Sequence, residues 1–68
     1  MPLIITLNGE RFELEHALSV TALIERLELD PRRVAVLHNL DILKRPTFPT
    51  VVVGDGDTVE IVNFVGGG

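Results

Sequence analysis

The glycines at the end of the chain are the residues whose type and position most suggest chemistry. Gly66, Gly67 and Gly68 follow Val65 and a β-type run over residues 58–64. A segment without Cβ atoms is thin enough for a narrow channel and can adopt backbone angles that other residues avoid. We therefore expect the carboxylate of Gly68 to be the reactive group. The alternative is a frayed end with no role, because chain termini are often disordered.

The other side chains do not form a second reactive centre. The chain has no cysteine, which excludes a thiol nucleophile and a cysteine-based metal site. The two histidines, His16 and His38, are too few to build a catalytic site and show no convincing constellation with carboxylates or nucleophiles, and a metal role is not expected for His38. Residues 54–57 lack the length and the lysine of a phosphate-binding loop, so we interpret them as a turn. We therefore expect no resident metal and no enzyme activity from the chain by itself.

Composition limits the remaining function classes. A length of 68 residues corresponds to one domain, and an apolar fraction of 46% is sufficient for a compact core. The formal net charge of −4 argues against nucleic-acid binding, which normally requires a basic surface. The chain shows no signal-type N-terminus and no apolar run long enough to span a bilayer. We predict a cytoplasmic protein that binds neither nucleic acid nor membrane.

A β-hairpin is predicted at the start of the chain. Apolar residues alternate with polar ones on both sides of Asn8-Gly9, the strongest short sequence signal for a type I′ hairpin turn. The positions expected to share the core face are Leu3, Ile5, Leu7, Phe12 and Leu14.

A short helix is predicted next. Ser19 is a suitable N-cap residue, and an apolar stripe with helical spacing follows it. We expect the helix to end at Asp30-Pro31, because a residue before proline is disfavoured in the α conformation. The stripe consists of Val20, Leu23, Ile24 and Leu27.

Further strands are predicted in the second half of the chain. Residues 34–38 form one strand, residues 39–41 a turn, and a short strand opens at Ile42. Residues 44–50 are a connecting turn or 3₁₀ segment that places Phe48 in the core. With the hairpin and the last strand, this order predicts an α+β domain with one helix on one face of a sheet.

The last strand has two faces with different roles. Val59 and Ile61 should point to the core, which places Glu60, Val62 and Phe64 on the open face near the tail. An exposed pair of apolar residues on a small acidic domain is a candidate docking patch for a partner. The alternative is that they have no role, because single exposed apolar residues are common.

Short motifs spread along the chain belong together with this order of elements. They are Asn8-Gly9-Glu10, Val34-Ala35-Val36, Asn39, Ile42, Arg45, Gly56-Asp57, Val59-Glu60-Ile61-Val62 and Val65-Gly66-Gly67-Gly68. With these motifs the order of elements resembles the ubiquitin-like β-grasp fold, and within that fold the chain is similar to the ThiS family of sulfur carriers. The similarity covers essentially the whole chain. It departs at Asn39-Leu40-Asp41, where the family commonly has Asn-Gly-Glu, and at Lys44-Arg45-Pro46, with Phe48 in the aromatic position.

The resemblance implies a fold and a function. The fold would be a mixed sheet of four to five strands with one helix on one face over residues 1–65, with a flexible glycine tail at residues 66–68. A ThiF-type adenylating enzyme would use ATP and Mg²⁺ to activate Gly68. A persulfide donor such as a cysteine desulfurase would then convert the carboxylate into a thiocarboxylate, and thiazole synthase would take the sulfur for thiamin formation. The residues expected to bind partners are Glu60, Val62, Phe64 and Arg45.

Three other functions fit the same residues. The small subunit of molybdopterin synthase has a similar fold and a Gly-Gly end. A ubiquitin-like modifier would use the same adenylate to join Gly68 to lysines of target proteins. A β-grasp interaction module would make no use of its tail. Fold alone does not decide among these functions.

Overall fold

A five-stranded mixed sheet with one helix forms the domain. The computed structural model describes residues 2–64. Along the chain the strands are β1 (Leu3–Leu7), β2 (Glu10–Leu14), β3 (Leu18–Ser19), β4 (Val34–His38), β5 (Asp41–Ile42), β6 (Val52–Val53) and β7 (Thr58–Asn63). The main sheet has the order β2-β1-β7-β4-β5, in which β1 and β7 are parallel and the other neighbours antiparallel. The predicted α+β class and strand number are confirmed.

The first hairpin has the predicted turn. Asn8 and Gly9 both have positive φ, 51° and 82°, as the two central residues of a type I′ turn require. The pairing of Leu3 with Leu14 and of Ile5 with Phe12 brings the alternating apolar residues onto one face. Three of the five predicted core residues are buried and two are partly buried against the core, the former being Ile5, Leu7 and Leu14 and the latter Leu3 and Phe12.

The helix α1 (Val20–Arg26) begins as predicted. The Ser19 hydroxyl accepts a hydrogen bond from Ala22 N at 3.1 Å, which satisfies one of the free N–H groups of the first turn. Val20, Leu23 and Ile24 are fully buried against the sheet, so the helical stripe forms much of the core.

The predicted end of the helix is wrong. The helix stops at Arg26, and Glu28 adopts φ 60° in the left-handed region. Glu28 N donates to Glu25 O and Leu29 N donates to Ile24 O, which is the Schellman pattern of helix termination. Asp30 and Pro31 instead begin a separate 3₁₀ turn, Pro31–Arg33, which the Asp30 side chain caps.

A small second sheet was not predicted. Strands β3 and β6 pair antiparallel over two residues each. Next to them, Val20 N donates to Val51 O and Thr21 N donates to Phe48 O, which fixes the helix start to the connecting segment. That segment contains a 3₁₀ turn, Arg45–Thr47, and Phe48 is buried with 2% exposure, as predicted.

The turn between β4 and β5 contains two residues, and the prediction of a three-residue turn is wrong. Asp41 already pairs with His38 as the first residue of β5. Asn39 and Leu40 both have positive φ, 49° and 74°, so this turn also has the type I′ signs although it lacks glycine.

The core is entirely apolar among residues 2–64. No polar or charged residue of this part of the chain is buried. No helix within these residues is long and apolar enough to cross a membrane. The buried residues are Ile5, Leu7, Leu14, Val20, Leu23, Ile24, Val34, Val36, Phe48, Val53, Val59 and Ile61.

Candidate functional site

Strand β7 lies in the centre of the main sheet, and Phe64 and Val65 separate it from the glycines in the sequence. It pairs with β1 on one side and β4 on the other. Val59 and Ile61 are buried, whereas Glu60, Val62 and Phe64 are exposed. The predicted assignment of the two faces is therefore confirmed, although their role in binding stays a prediction.

The sheet register extends the exposed apolar surface beyond β7. Leu37 lies opposite Glu60 in β7 and opposite Ile42 in β5, and directly opposed residues share a face of the sheet. Val62 and Phe64 are each 53% exposed and Ile42 is 78% exposed. We call Leu37, Ile42, Val62 and Phe64 the open-face patch. It lies on the side of the sheet away from the buried stripe of the helix.

Hydrogen bonds hold the chain in place from the end of β7 to Phe64, the last residue that the structure describes. Asn63 pairs with Val34, and Phe64 N donates a hydrogen bond to Arg33 O at 2.7 Å. The predicted reactive Gly68, its neighbours Gly66 and Gly67, and the boundary between domain and tail lie outside the described residues. Their roles stay predictions.

Arg45 lies close to this strand end. Its Nε donates to Pro31 O at 3.2 Å and its Nη2 to Val34 O at 3.4 Å. These bonds join the connecting segment to the start of β4, a structural role that the sequence did not indicate. The residue remains exposed, so the arrangement is compatible with the predicted contact with a partner.

A polar cluster at the opposite end of β7 was not predicted. Asp57 Oδ2 lies 2.8 Å from His38 Nε2 and accepts a hydrogen bond from Gly54 N at 2.9 Å. Asp57 Oδ1 accepts one from Asn39 Nδ2 at 3.3 Å. The sequence assigned Asp57 only to a polar turn, because its partners are distant along the chain. The one available signal was its place in the Gly56-Asp57 pair that resembles the ThiS family.

The cluster shifts the ionisation of Asp57. Partial burial by itself raises the pKa of this carboxyl group. The hydrogen bonds from Gly54, His38 and Asn39 outweigh that effect, and the pKa lies below its ordinary value. Asp57 is therefore an ionised structural group that joins two turns. Within residues 2–64, no three or more His, Cys, Asp or Glu side chains are grouped so that they could hold a metal ion.

Comparison with known families identifies the family within the β-grasp fold. The family model described as "ThiS family" matches residues 5–68, which include the three terminal glycines. The chain belongs to the ThiS family. The resemblance predicted from the sequence is thereby confirmed.

The relatives of this ThiS family member differ in length: some are much longer proteins, and others have about the length of this chain. A thiazole synthase of Paramagnetospirillum magneticum is 42% identical over 64 residues, which are 94% of this chain but 20% of that protein. A second thiazole synthase, from Magnetococcus marinus, is 38% identical over the same shares. The chain thus spans about a fifth of the length of these relatives. The protein ycf40 of Porphyra purpurea is 36% identical over 94% of this chain and 90% of its own length.

Solved ThiS structures have the same fold. The crystal structure of the thiamine biosynthesis protein ThiS from Geobacter metallireducens superposes with a TM-score of 0.84 at 35% identity, covering 97% of this chain and all of that one. The solution structure of a thiamine biosynthesis protein from the same organism gives a TM-score of 0.82. The β-grasp architecture predicted from the sequence is confirmed.

Proposed function

We propose that this ThiS family member is a sulfur carrier whose Gly68 carboxylate becomes a thiocarboxylate that donates sulfur for thiazole formation. The observation that carries the proposal is the family match, which continues through the glycines to residue 68. In this role the chain is a protein co-substrate and not a catalyst. The proposal requires Gly68 to carry the terminal carboxylate in the active form.

The first step has to activate that carboxylate. A free carboxylate is a poor acylating agent, because its leaving group would be oxide. In the proposed step a carboxylate oxygen of Gly68 attacks the α-phosphorus of ATP, pyrophosphate leaves, and an acyl adenylate forms. A ThiF-type enzyme would supply the nucleotide site and the Mg²⁺, and the carrier would contribute the acyl group.

The second step introduces sulfur. A persulfide on a donor protein, loaded by a cysteine desulfurase, attacks the acyl carbon and expels AMP. A thiol of the donor system then attacks the donor-side sulfur of the resulting acyl disulfide. The donor sulfurs form a new disulfide, and the terminal sulfur stays on Gly68 as the thiocarboxylate. The glycines at positions 66–68 suit this exchange because they bring no side-chain bulk and no competing nucleophile.

The names of the relatives favour thiazole as the destination of the sulfur. Two of them are thiazole synthases in which the region similar to this chain is part of a longer polypeptide. Such a covalent connection is expected when a carrier and its acceptor enzyme act together, because it raises their effective concentration. This observation favours thiazole synthase as the acceptor over a molybdopterin synthase.

Docking would use the exposed side of β7. The open-face patch begins on β5 and ends at Phe64, next to the residues that lead to Gly68. Fully buried apolar side chains at the centre of an interface provide most of its binding energy. We propose that Val62 and Phe64 bind the adenylating enzyme, with Glu60 and Arg45 contributing polar contacts at the edges.

Intact mass spectrometry tests the proposal. The chain, verified to end at Gly68, is incubated with ATP, Mg²⁺, a ThiF-type enzyme and a persulfide source. The expected result is a mass gain equal to the replacement of one oxygen by sulfur, located at Gly68 by fragmentation. The control is a variant without Gly67 and Gly68, which should gain nothing.

Two outcomes would contradict the proposal. One is an unchanged mass in the presence of an adenylating enzyme that is active on another carrier. The other is an isopeptide bond between Gly68 and a lysine of a second protein in cell extract without any thiocarboxylate, which would indicate a protein modifier.

A further inference from the structure

Positive charge is concentrated at the end of the sheet where β7 stops. Four of the six lysine and arginine residues fall in two short segments, Pro31–Arg33 and residues 44–45. We call these four side chains, Arg32, Arg33, Lys44 and Arg45, the basic rim. The chain as a whole has a net charge of −4, so the rim has the opposite sign to the rest of the molecule.

Hydrogen bonds from the Arg45 side chain bring the two segments together beside the strand end. Arg45 lies across the 3₁₀ turn and the start of β4, with hydrogen bonds to Pro31 O and Val34 O. Arg33 O accepts the hydrogen bond from Phe64 N. The basic rim therefore borders the last described residue before the glycines.

Most of this positive charge has no ion-pair partner within residues 2–64. Arg32 forms an ion pair with Asp30 at 3.1 Å, and the hydrogen bonds from Arg32 lower the pKa of Asp30. Within residues 2–64, no carboxylate lies within ion-pair distance of Arg33, Lys44 or Arg45. All four residues of the rim are exposed.

The opposite end of β7 has the reverse charge. Asp41, Asp55 and Asp57 lie in or next to the two turns at that end. Of these three, Asp57 alone has an ion-pair partner within residues 2–64, which is His38, and Asp55 accepts a hydrogen bond from Ile4 N. The charge thus changes sign along the direction of β7. This polarity gives the domain a preferred orientation in the field of a charged partner.

We infer that the basic rim binds an acidic surface of the adenylating enzyme. This surface would lie next to the opening through which that enzyme takes up the glycine tail. The inference rests on the proposed function and specifies the chemistry of its partner. Rim contacts between opposite charges increase the rate of encounter and fix the orientation of docking. The apolar contacts of the open-face patch would then hold the complex. The acidic remainder of the domain would be repelled by the same surface, which disfavours docking with the wrong end.

Charge reversal in the rim tests this inference. The variant Arg33→Glu/Lys44→Glu changes two exposed side chains that make no side-chain hydrogen bond within residues 2–64. Its matched control is Arg11→Glu/Arg26→Glu, with the same change in net charge on β2 and α1. Pyrophosphate release by a ThiF-type enzyme is measured at several concentrations of each carrier. Far-ultraviolet circular dichroism verifies that all variants are folded.

The expected result is a change in KM. At low ionic strength the rim variant should show a KM raised by about tenfold or more with kcat unchanged, because rim charges act mainly on encounter. The difference should shrink as salt is added, because exposed charges are screened within about 8 Å at physiological ionic strength. The control should stay within about twofold of the original chain, since Arg11 lies on β2 and Arg26 lies over the Phe12 ring of β2, at the opposite edge of the sheet from β5.

The outcomes separate the inference from the function on which it rests. Turnover of the original chain with equal KM values for rim and control variants would overturn the inference and leave the carrier function intact. A KM difference that does not respond to salt would also overturn it. Absence of turnover of the original chain by an enzyme that is active on another carrier would overturn the proposed function and the inference together.

Discussion

Asp57 acts at the scale of a single residue by joining the turn before β7 to the turn between β4 and β5. Its carboxylate accepts hydrogen bonds from Gly54 N and Asn39 Nδ2 and lies next to His38 Nε2. These bonds favour its ionised form in the folded state and lower its pKa below the unfolded value of 3.8. A group with a lowered folded pKa stabilises the fold above the unfolded pKa.

The substitution Asp57→Asn should therefore destabilise the domain at neutral pH. The stability difference between the original chain and the variant is fully present above the unfolded pKa of 3.8 and is lost as the pH falls through the lower folded value. Urea unfolding at a series of pH values measures it. The control Asp41→Asn, at an exposed residue of β5, should change little. A constant difference from pH 7 to pH 2 would contradict the ionic origin.

Leu40 shows a limit of residue-scale prediction. Leucine disfavours positive φ, so Asn39-Leu40 gave no signal for a two-residue turn. The structure nevertheless has φ 74° at Leu40. Asn39 explains this, because its N–H donates to Thr58 O and its Oδ1 accepts from Thr58 N, each at 2.8 Å. These contacts to β7 fix the turn regardless of local preference.

The helix end shows the same competition at the scale of an element. Proline at position 31 predicts a helix that continues to Asp30, but the Schellman turn at Glu28 ends it earlier. That turn lets Leu29 pack against the core as a partly buried residue. The burial of Leu29 offsets the unfavourable φ of Glu28. The helical periodicity of the sequence indicates neither this burial nor this φ.

Replacing Glu28 with glycine should stabilise the domain. Glycine adopts φ 60° without steric cost, and helix C′ positions strongly prefer it. We expect a gain of about 0.5–1 kcal/mol in the free energy of unfolding after the higher entropy of unfolded glycine is included. The matched control is Glu25→Gly inside α1, which should lose about 1 kcal/mol. Urea unfolding compares the two, and equal losses would contradict the role assigned to Glu28.

Strand β7 carries the prediction that concerns docking. Val62→Glu and Phe64→Glu place a charge in the open-face patch, and both positions are already exposed, so folding should be little affected. We expect the efficiency of adenylation to fall by about tenfold or more, as for central interface residues. The matched control is Val52→Glu in β6, which is 57% exposed and belongs to the separate small sheet. Unchanged adenylation kinetics in both patch variants would remove the docking role.

Elements with local signals were predicted better than elements made by distant pairing. The hairpin at Asn8-Gly9 and the two faces of β7 follow from alternation and turn chemistry within a few residues. Strands β3 and β6 have two residues each and pair Leu18 with Val53. A strand of two residues has no periodicity, so only the folded chain reveals it.

At the scale of the whole molecule, stability depends on one small apolar core without a disulfide. A domain of this length has a free energy of unfolding of roughly 3–10 kcal/mol. Leu23 is fully buried between the helix and the sheet. Leu23→Ala should cost about 2–5 kcal/mol, a large part of the total.

Thermal unfolding followed by circular dichroism measures this loss. The control Ile42→Ala, at a side chain that is 78% exposed, should stay within about 0.5 kcal/mol of the original chain. Similar melting temperatures for the two variants would mean that the core is not the main source of stability.

The candidate site could be predicted in part at this scale. The element order and the glycine end indicated the family, and β7 was correctly identified as the strand that leads to the tail. The basic rim was not predicted, because Arg33 and Arg45 are distant in sequence and meet only through the contacts of Arg45 with Pro31 and Val34.

The central place of β7 has a consequence for synthesis on the ribosome. Strands β1 and β4 both pair with β7, so the main sheet lacks its central strand until Asn63 has left the exit tunnel. A nascent chain has no complete core before that moment, because Val59 and Ile61 of β7 belong to the buried residues. We therefore expect a product interrupted within β7 to lack both the complete core and the glycines, and to be open to degradation.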